Sequence, residues 1–269
     1  MLRTKKAWLT APQRQAQLRT AGDRGKTAYF GYESVPAAEK SERVRRHFNT
    51  VARQYDFMNT LLSFGIHHLW KRAAVRMLAL SLGEKVLDVC GGTGDLAILA
   101  AKAIGPAGRV IVYDINRAMI QSGVRKIVNS AIAPRLQYVQ GDAEHLSFPD
   151  ACFDAAMVGF GIRNVTDMVR GFNEMFRVLK PGGKMMCLEF SKPTAPLFRG
   201  LYDFYSFYIM PLMGQLLAGS RQAYTHLPES IRMFPLPHEL TAILNRIGFA
   251  PVTSRKLTNG IAVVHLARR

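Results

Sequence analysis

Residues 85–95, Lys-Val-Leu-Asp-Val-Cys-Gly-Gly-Thr-Gly-Asp, constrain the fold more than any other stretch. Val86, Leu87 and Val89 form a short β-prone apolar run, and Gly91, Gly92 and Gly94 follow at once. Residues 96–102, Leu-Ala-Ile-Leu-Ala-Ala-Lys, then read as the first turns of a helix. Strand, glycine turn and helix in that order let a backbone approach a nucleotide closely. Asp114 closes the next apolar run, residues 109–114, at about the 20-residue distance where a carboxylate can accept both ribose hydroxyls. A glycine turn alone could equally tighten a strand–helix corner. With the acid so placed, a nucleotide-type cofactor is favoured.

Which cofactor is left open by the turn itself. Gly92-Thr-Gly-Asp-Leu-Ala97 satisfies the G-x-G-x-x-A form used for dinucleotides. Asp88-Val-Cys-Gly-Gly-Thr-Gly, with an acid inside the strand, resembles the first motif of class I methyltransferases. There the turn accommodates the methionyl end of S-adenosylmethionine.

A chain of 269 residues holds one α/β domain with a sizeable core plus decoration. Cys90, Cys152 and Cys187 are widely spaced and each adjoins an apolar run, so they read as small buried hydrophobes without a metal or disulfide framework. The net charge of +17 points to nucleic acid, anionic lipid or an acidic protein as partner. Seven Lys/Arg against Asp23 alone fall in residues 1–27, a basic stretch without the long apolar core of a secretory signal. It reads as a disordered extension over residues 1–28, a mitochondrial-type transit segment, or a basic tail touching membrane. No nucleic-acid module is recognisable, and the aromatic residues cluster without interleaved Lys/Arg.

The domain proper spans 29–269. Residues 38–82 are helical in pattern, with Val44, Phe48 and Val51 on one face and a further helix opening at Gly65, and form an N-terminal cap. His67 and His68 invite a metal reading. Adjacent histidines on a helix diverge, and no third ligand lies nearby in sequence, so no metal is expected. Strand patterns at 109–114, 135–140, 153–159 and 184–190 alternate with helical ones at 119–129 and 168–179. That alternation implies a parallel sheet with helices on both faces. Lys180-Pro-Gly-Gly reads as a helix stop and turn, and a helix over 239–248 precedes a hairpin that closes the sheet with one antiparallel strand. Residues 194–236 break the alternation with an aromatic- and methionine-rich stretch. Arg199, Asp203, Pro211 and Gln215 interrupt it too often for a membrane span. A buried helix pair and a lid over a long apolar ligand both fit. Residues from Ser220 read as polar and loop-like at first.

Several stretches together resemble the UbiE/COQ5 quinone-biosynthesis C-methyltransferases. They are Phe30-Gly-Tyr-Glu-Ser-Val, Val51-Ala-Arg-Gln-Tyr-Asp-Phe-Met-Asn, Ser63-Phe-Gly-Ile-His-His-Leu-Trp-Lys-Arg and Gly91-Gly-Thr-Gly-Asp. Phe160-Gly-Ile-Arg-Asn-Val-Thr-Asp, Arg177-Val-Leu-Lys-Pro-Gly-Gly, Leu188-Glu-Phe-Ser-Lys-Pro and Glu229-Ser-Ile-Arg complete the set, in order over roughly residues 30–266. The resemblance implies a Rossmann-like, mostly parallel seven-stranded sheet and S-adenosylmethionine as co-substrate, against a nicotinamide dinucleotide. It implies methyl transfer to a ring carbon of a polyprenyl benzoquinol, a demethylmenaquinol, or both. On matching positions it implies cofactor contacts at Gly91, Gly92, Thr93 and Asp114, with Asp142 and Ala143 beside the adenine. Tyr55, Arg163 and Asn164 are implied in activating the quinol. Guanidinium groups keep their proton in proteins, so Arg163 reads as the cation facing a phenolate; a structural ion pair with Asp167 or Glu189 is the competing role. Two departures are Gly159, where bacterial members often carry serine, and Cys90, where alanine is usual. The expected setting is cytoplasmic, peripheral at the inner membrane face, on the matrix side if the N-terminus is a transit segment. A homodimer or a quinone-biosynthesis complex is compatible with it.

Overall fold

The computed structural model describes residues 8–10, 13 and 27–269. The expected basic extension over 1–28, with its transit or tail role, falls almost wholly outside the described residues. Ala28–Phe30 (β1) and Glu33–Val35 (β2) pair antiparallel. Three helices follow, Ala37–Val51 (α1), Tyr55–Leu62 (α2) and Ile66–Leu78 (α3). The alternating part runs Lys85–Val89 (β3), Asp95–Ala103 (α4), Arg109–Asp114 (β4), Arg117–Ile127 (α5), Leu136–Gln140 (β5), Phe153–Gly159 (β6), Met168–Val178 (α6) and Leu179–Phe190 (β7). After it come Pro196–Phe204 (α7), a π turn over Tyr205–Ile209, Met210–Ala218 (α8), Arg221–Met233 (α9) and Pro237–Ile247 (α10). Thr253–Leu257 (β8) and Ala262–Arg268 (β9) end the chain.

Seven strands form one sheet in the order β5-β4-β3-β6-β7-β9-β8. β3 to β7 are parallel, and β9 runs antiparallel between β7 and β8. Successive residues of β3 face opposite cores, as a strand's twofold period requires. Val86 packs in the layer that holds Ala74 and Leu78 of α3 and Ala97 and Ala100 of α4. Leu87 packs with Phe172 and Met175 of α6 and Leu240 and Leu244 of α10. Burial of each such Val or Leu contributes about 1.5–3 kcal/mol, which is why the uninterrupted apolar strands lie at the centre. From β3 the chain turns one way to β4 and later the other way to β6. The crevice at the carboxyl ends of these strands is where open α/β sheets take ligands.

A third apolar cluster stands apart from the sheet. Val51 of α1 and Met58 and Leu62 of α2 pack against Met210 of α8 and Ala223 and Tyr224 of α9. The N-terminal helices and the 196–233 insertion therefore meet over the crevice.

Two local expectations need correction. The polar stretch after Ser220 is helix α9, because the Ser220 hydroxyl caps it by accepting from Ala223 N (3.3 Å) and Arg232 ties it to Pro228 O (3.0 Å) and Ser206 Oγ (3.2 Å). Lys180-Pro-Gly-Gly stops α6 as expected but lies inside β7: Leu179 pairs with Phe153 and Lys184 with Ala155, so the intervening residues bulge. Among the described residues no helix is long and apolar enough to cross a membrane.

Candidate active site

The glycine turn joins β3 to α4 through a left-handed sequence of backbone conformations, Cys90 at φ 53°, Gly92 at φ 55° and Gly94 at φ 82°. Gly91 is held by its N–H donating to Tyr113 O on the neighbouring strand (3.2 Å). A Cβ there would stand 2.6 Å from Val112 Cγ1 and 2.9 Å from Asp88 Oδ2, so only glycine fits. The end of β4 is organised by Asp114, whose carboxylate accepts from Gly92 N (2.9 Å) and Asn116 N (2.8 Å). Asn116 in turn caps α5 by accepting from Met119 N (3.0 Å).

Both acids at this turn are buried, and burial disfavours their charged forms. Asp114 is pushed up to about 6 by burial, opposed by the Asn116 and Gly92 N–H groups. Asp88 is pushed up to about 8 by burial, opposed by the N–H of Ala97. Asp88 Oδ2 accepts that N–H at 3.2 Å, while Oδ1 is buried without a hydrogen-bond partner among the described residues.

Two cavities adjoin the turn. The smaller runs along the ends of β4 and β5 and is lined by Gly92, Asp114, Asn116, Asp142, Ala143 and Glu144, with Val44 of α1 over it. The larger is an apolar chamber of about 310 Å³ enclosed by α1 to α3 and α7 to α9. Its wall includes Gly91, Thr93, Trp70, Phe190, Phe198, Tyr202, Tyr205 and Arg163. Tyr55, Asn164, Phe48, Cys90, Gly92, Gly159 and Phe160 line both, so the cavities meet there. Every residue that the sequence singled out, Tyr55, Gly91, Gly92, Thr93, Asp114, Asp142, Ala143, Arg163 and Asn164, borders one cavity or the other.

Arg163 makes the ion pair that the sequence held in reserve. Its Nη1 donates to Glu189 Oε2 (3.0 Å) and Oε1 (3.2 Å) and to Phe160 O, and its Nε donates to Ser230 Oγ (3.4 Å). Nη2 forms no hydrogen bond among the described residues, and the side chain borders the chamber. Burial raises the Glu189 carboxyl and the Arg163 charge opposes that rise. Burial likewise raises the Tyr55 hydroxyl, with Arg163 opposing. Asp167 is engaged elsewhere, since its carboxylate accepts from Arg170 N and caps α6 (3.0 Å).

A polar network that the sequence did not disclose supports the chamber floor. Thr93 Oγ1 donates to Asp56 Oδ1 (2.7 Å), Lys71 Nζ donates to Asp95 Oδ2 (2.6 Å), and Lys126 bridges Asp56 and Asp95. Only the three-dimensional meeting of α2, α3, α4 and α5 brings these charges together. Burial raises the Asp95 carboxyl, but the two lysines overcome it and hold Asp95 far below the usual carboxylate range.

His67 and His68 do not diverge as their adjacency implied. Thr60 Oγ1 draws both Nε2 atoms, at 3.2 and 3.1 Å, and the rings lie 3.8 Å apart. Asp95 completes a group whose ligand atoms lie within 4.8 Å of one another. Both Asp95 oxygens already accept from lysine ammonium groups, however, which compete directly with a cation. Of the two departures, Cys90 is part of the wall between the cavities, its thiol pushed well up by burial. At Gly159 an added Cβ would meet the tip of Leu96.

The sheet order, the glycine turn and the acid at the end of β4 define a class I S-adenosylmethionine-dependent methyltransferase fold. Solved structures similar to it include a SAM-dependent methyltransferase from Aquifex aeolicus (TM-score 0.57, 18% identity, covering 79% of this chain and 97% of that one). Another, from Thermotoga maritima, has a TM-score of 0.60 at 18% identity over 83% of this chain and 98% of that one. The cyclase SpnF shares the fold at a TM-score of 0.62 and 16% identity over 85% of this chain and 96% of that one, so fold alone does not fix the reaction.

The chain belongs to the ubiE/COQ5 methyltransferase family, whose model matches residues 37–269. It is 44% identical over 247 residues to the ubiquinone/menaquinone biosynthesis C-methyltransferase UbiE of Pseudomonas fluorescens, covering 92% of this chain and 96% of that one. It is also 44% identical over 239 residues to the corresponding protein of Pseudomonas putida, covering 89% and 93%. The dinucleotide reading of the glycine turn is thereby set aside in favour of S-adenosylmethionine.

Proposed function

We propose that this protein transfers the methyl group of S-adenosylmethionine to a ring carbon of a polyprenyl quinol, in ubiquinone or menaquinone formation. The observation that carries it is the meeting of the two cavities: a cleft ending at acids opens, at Tyr55 and Asn164, into a largely apolar chamber with Arg163 in its wall. The cleft fits the co-substrate. Asp114 stands where ribose hydroxyls would donate, and Asp142 and Ala143 border the adenine end. Bound there, S-adenosylmethionine supplies an electrophilic methyl on a sulfonium with a good leaving group.

The chain's own residues then divide the chemistry among them. The aromatic wall excludes water and holds a flat ring near the donor. Arg163 presents Nη2 to the quinol oxygen and stabilises the phenolate that makes the adjacent ring carbon nucleophilic. Glu189 fixes the guanidinium through Nη1 and limits its free charge. Asn164 and Tyr55 orient the hydroxyl or a water that carries its proton away; once the S–CH3 bond has broken and the C–CH3 bond formed, the hydrogen on that ring carbon leaves as a proton and the ring oxygen regains one, restoring the quinol with a net release of one proton. The 196–233 helices act as the lid. Contact with a membrane, where a polyprenyl acceptor resides, and assembly with a second copy or other quinone enzymes belong to the same reading.

Incubation with labelled S-adenosylmethionine and short-tailed demethylmenaquinol or methoxy-benzoquinol tests it. Label in one or both supports the reading and names the ring. No label in either, with S-adenosylhomocysteine still bound, would refute the acceptor class.

A further inference from the structure

Methylation of a ring carbon leaves a proton to be removed, and the chamber wall beside Arg163 holds two groups able to take it. His226 of α9 and His47 of α1 both border the chamber. Their ring centroids lie 5.0 Å apart, and Phe30 of β1 stacks on His226 at 3.8 Å with 17° between the planes. Arg163 Nε donates to Ser230 Oγ (3.4 Å), one helical turn beyond His226 on the same face of α9. Guanidinium and imidazole are therefore neighbours on one wall. His226 Nδ1 lies on the side of Gly31, where an added Cβ would stand 3.2 Å from it, and is buried without a hydrogen-bond partner among the described residues. Nε2 is at the opposite edge of the ring.

A third cavity, of about 60 Å³, lies under the β1–β2 hairpin and is bordered by Phe30, Gly31 and Lys40. Arg163, Asn164, His226 and Ser230 border both this cavity and the chamber, whereas His47 borders the chamber alone. The third cavity has room for ordered water. Of the two histidines, His226 thus adjoins both the substrate space and a way out for a proton. Burial pushes His47 down to about 4, and the Arg163 charge adds to the fall. Burial, with the charges of His47, Arg163 and Lys40, pushes His226 well below the ordinary histidine range. Both imidazoles are neutral at physiological pH, as a proton acceptor must be.

We propose that His226 accepts, at Nε2, the proton that leaves the methylated ring carbon. The step rests on the quinol acceptor proposed above. Once the C–CH3 bond has formed and the S–CH3 bond has broken, that carbon carries both the methyl group and its hydrogen, and the ring is a dienone. The C–H bond then breaks and its electron pair restores the aromatic ring. The carbonyl pair returns to oxygen as a phenolate facing Arg163, and the proton forms an N–H bond on His226. Recovery of aromaticity makes that hydrogen strongly acidic, so a weakly basic imidazole suffices. The imidazolium, disfavoured by burial and by the neighbouring cations, then releases its proton to water in the third cavity.

The test compares turnover of a short-tailed quinol deuterated at the acceptor carbon with turnover of the protiated quinol, in the full chain. The wild type should process both at the same rate, because methyl transfer is slower than proton loss. His226→Phe keeps a ring against Phe30 and removes the nitrogens. Its kcat should fall roughly a hundredfold, the scale of a lost general base, and the deuterated quinol should now react several times more slowly than the protiated one. Its thermal shift with S-adenosylhomocysteine should be unchanged. His226→Ala, which leaves a ring-sized gap, should regain turnover in added imidazole, and that response decides the matter if the phenylalanine variant does not fold. A histidine that only packs the wall would move neither the isotope effect nor the imidazole response. Equal rates on the two quinols in His226→Phe, or no rescue of His226→Ala, would overturn the proposal and leave the acceptor standing. An isotope effect in His47→Phe instead would assign the base to His47 and overturn the role of His226. No turnover of either quinol by the wild type, with S-adenosylhomocysteine still bound, would refute the acceptor and this step with it.

Discussion

Arg163 Nη1 lies 3.0 Å from Glu189 Oε2, with the two side chains only 7% and 3% exposed. A pair this buried carries two consequences at once. Removing one partner strands the other charge in a low dielectric, which costs about 3–5 kcal/mol. Yet within the guanidinium Nη1 alone makes the pair, and the residue borders the chamber. The ion pair and the chemical role proposed for Arg163 would therefore use different atoms of one side chain, and a substitution can separate them.

Arg163→Lys keeps a cation for Glu189 and removes the second donor. Melting temperature and S-adenosylhomocysteine affinity should stay near wild type while kcat falls roughly a hundredfold, the loss typical of an oxyanion donor. Arg163→Ala should lose turnover and melting temperature together. Wild-type kcat in the lysine variant would confine Arg163 to a structural role.

Co-substrate affinity should depend on pH through Asp114. Its carboxyl is pushed up to about 6 by burial, so the ribose-accepting form is a minority at pH 5 and dominant at pH 8. Calorimetric Kd for S-adenosylhomocysteine should be about tenfold weaker at pH 5 than at pH 8, the inverse of the ionised fraction. Asp114→Asn should bind weakly and lose that step between pH 5 and 7. Asp88, pushed up to about 8, titrates at the upper end of this range, so the step that belongs to Asp114 is the part that Asp114→Asn removes.

Gly91→Ala should bind S-adenosylhomocysteine at least about tenfold more weakly, because the new methyl would press on Val112 and Asp88 from inside the turn. Circular dichroism of the variant should be unchanged. Normal affinity would mean that the turn yields more readily than its contacts indicate.

Much of the fold is legible in the sequence alone, because β3, β4 and β6 are runs that only a buried sheet accommodates and Gly92 and Gly94 mark a turn at positive φ that other residues rarely adopt. Tyr55 and Asn164, which the resemblance singled out, lie where the cavities meet, and Arg163 borders the chamber. Contacts set by distant elements were not legible. Pro228 and the polar residues around it read as loop, and only Arg232, anchored on Asp203 and Ser206, shows why a helix persists there. His67 and His68 diverge on an ideal helix, but Thr60, seven residues before His67, turns both rings together. The Lys71–Asp95–Lys126 bridge joins three helices and has no signature at any fixed spacing.

That bridge makes a stability prediction of definite sign. Asp95 is held below its unfolded value near 3.8, so its contribution is complete above about pH 4 and is lost as pH falls through the folded pKa. Asp95→Asn should cost about 3 kcal/mol at pH 7 by stranding Lys71. The gap from wild type in urea melts should narrow below pH 4. A gap independent of pH would place the cost in packing.

The most direct measurement is methyl transfer from labelled S-adenosylmethionine to one short-tailed acceptor, supplied reduced and oxidised in parallel, with the labelled position read by carbon NMR. Activation of a ring carbon through a phenolate beside Arg163 requires label in the reduced acceptor only, on ring carbon. Equal labelling of the quinone, or label on oxygen, would contradict it.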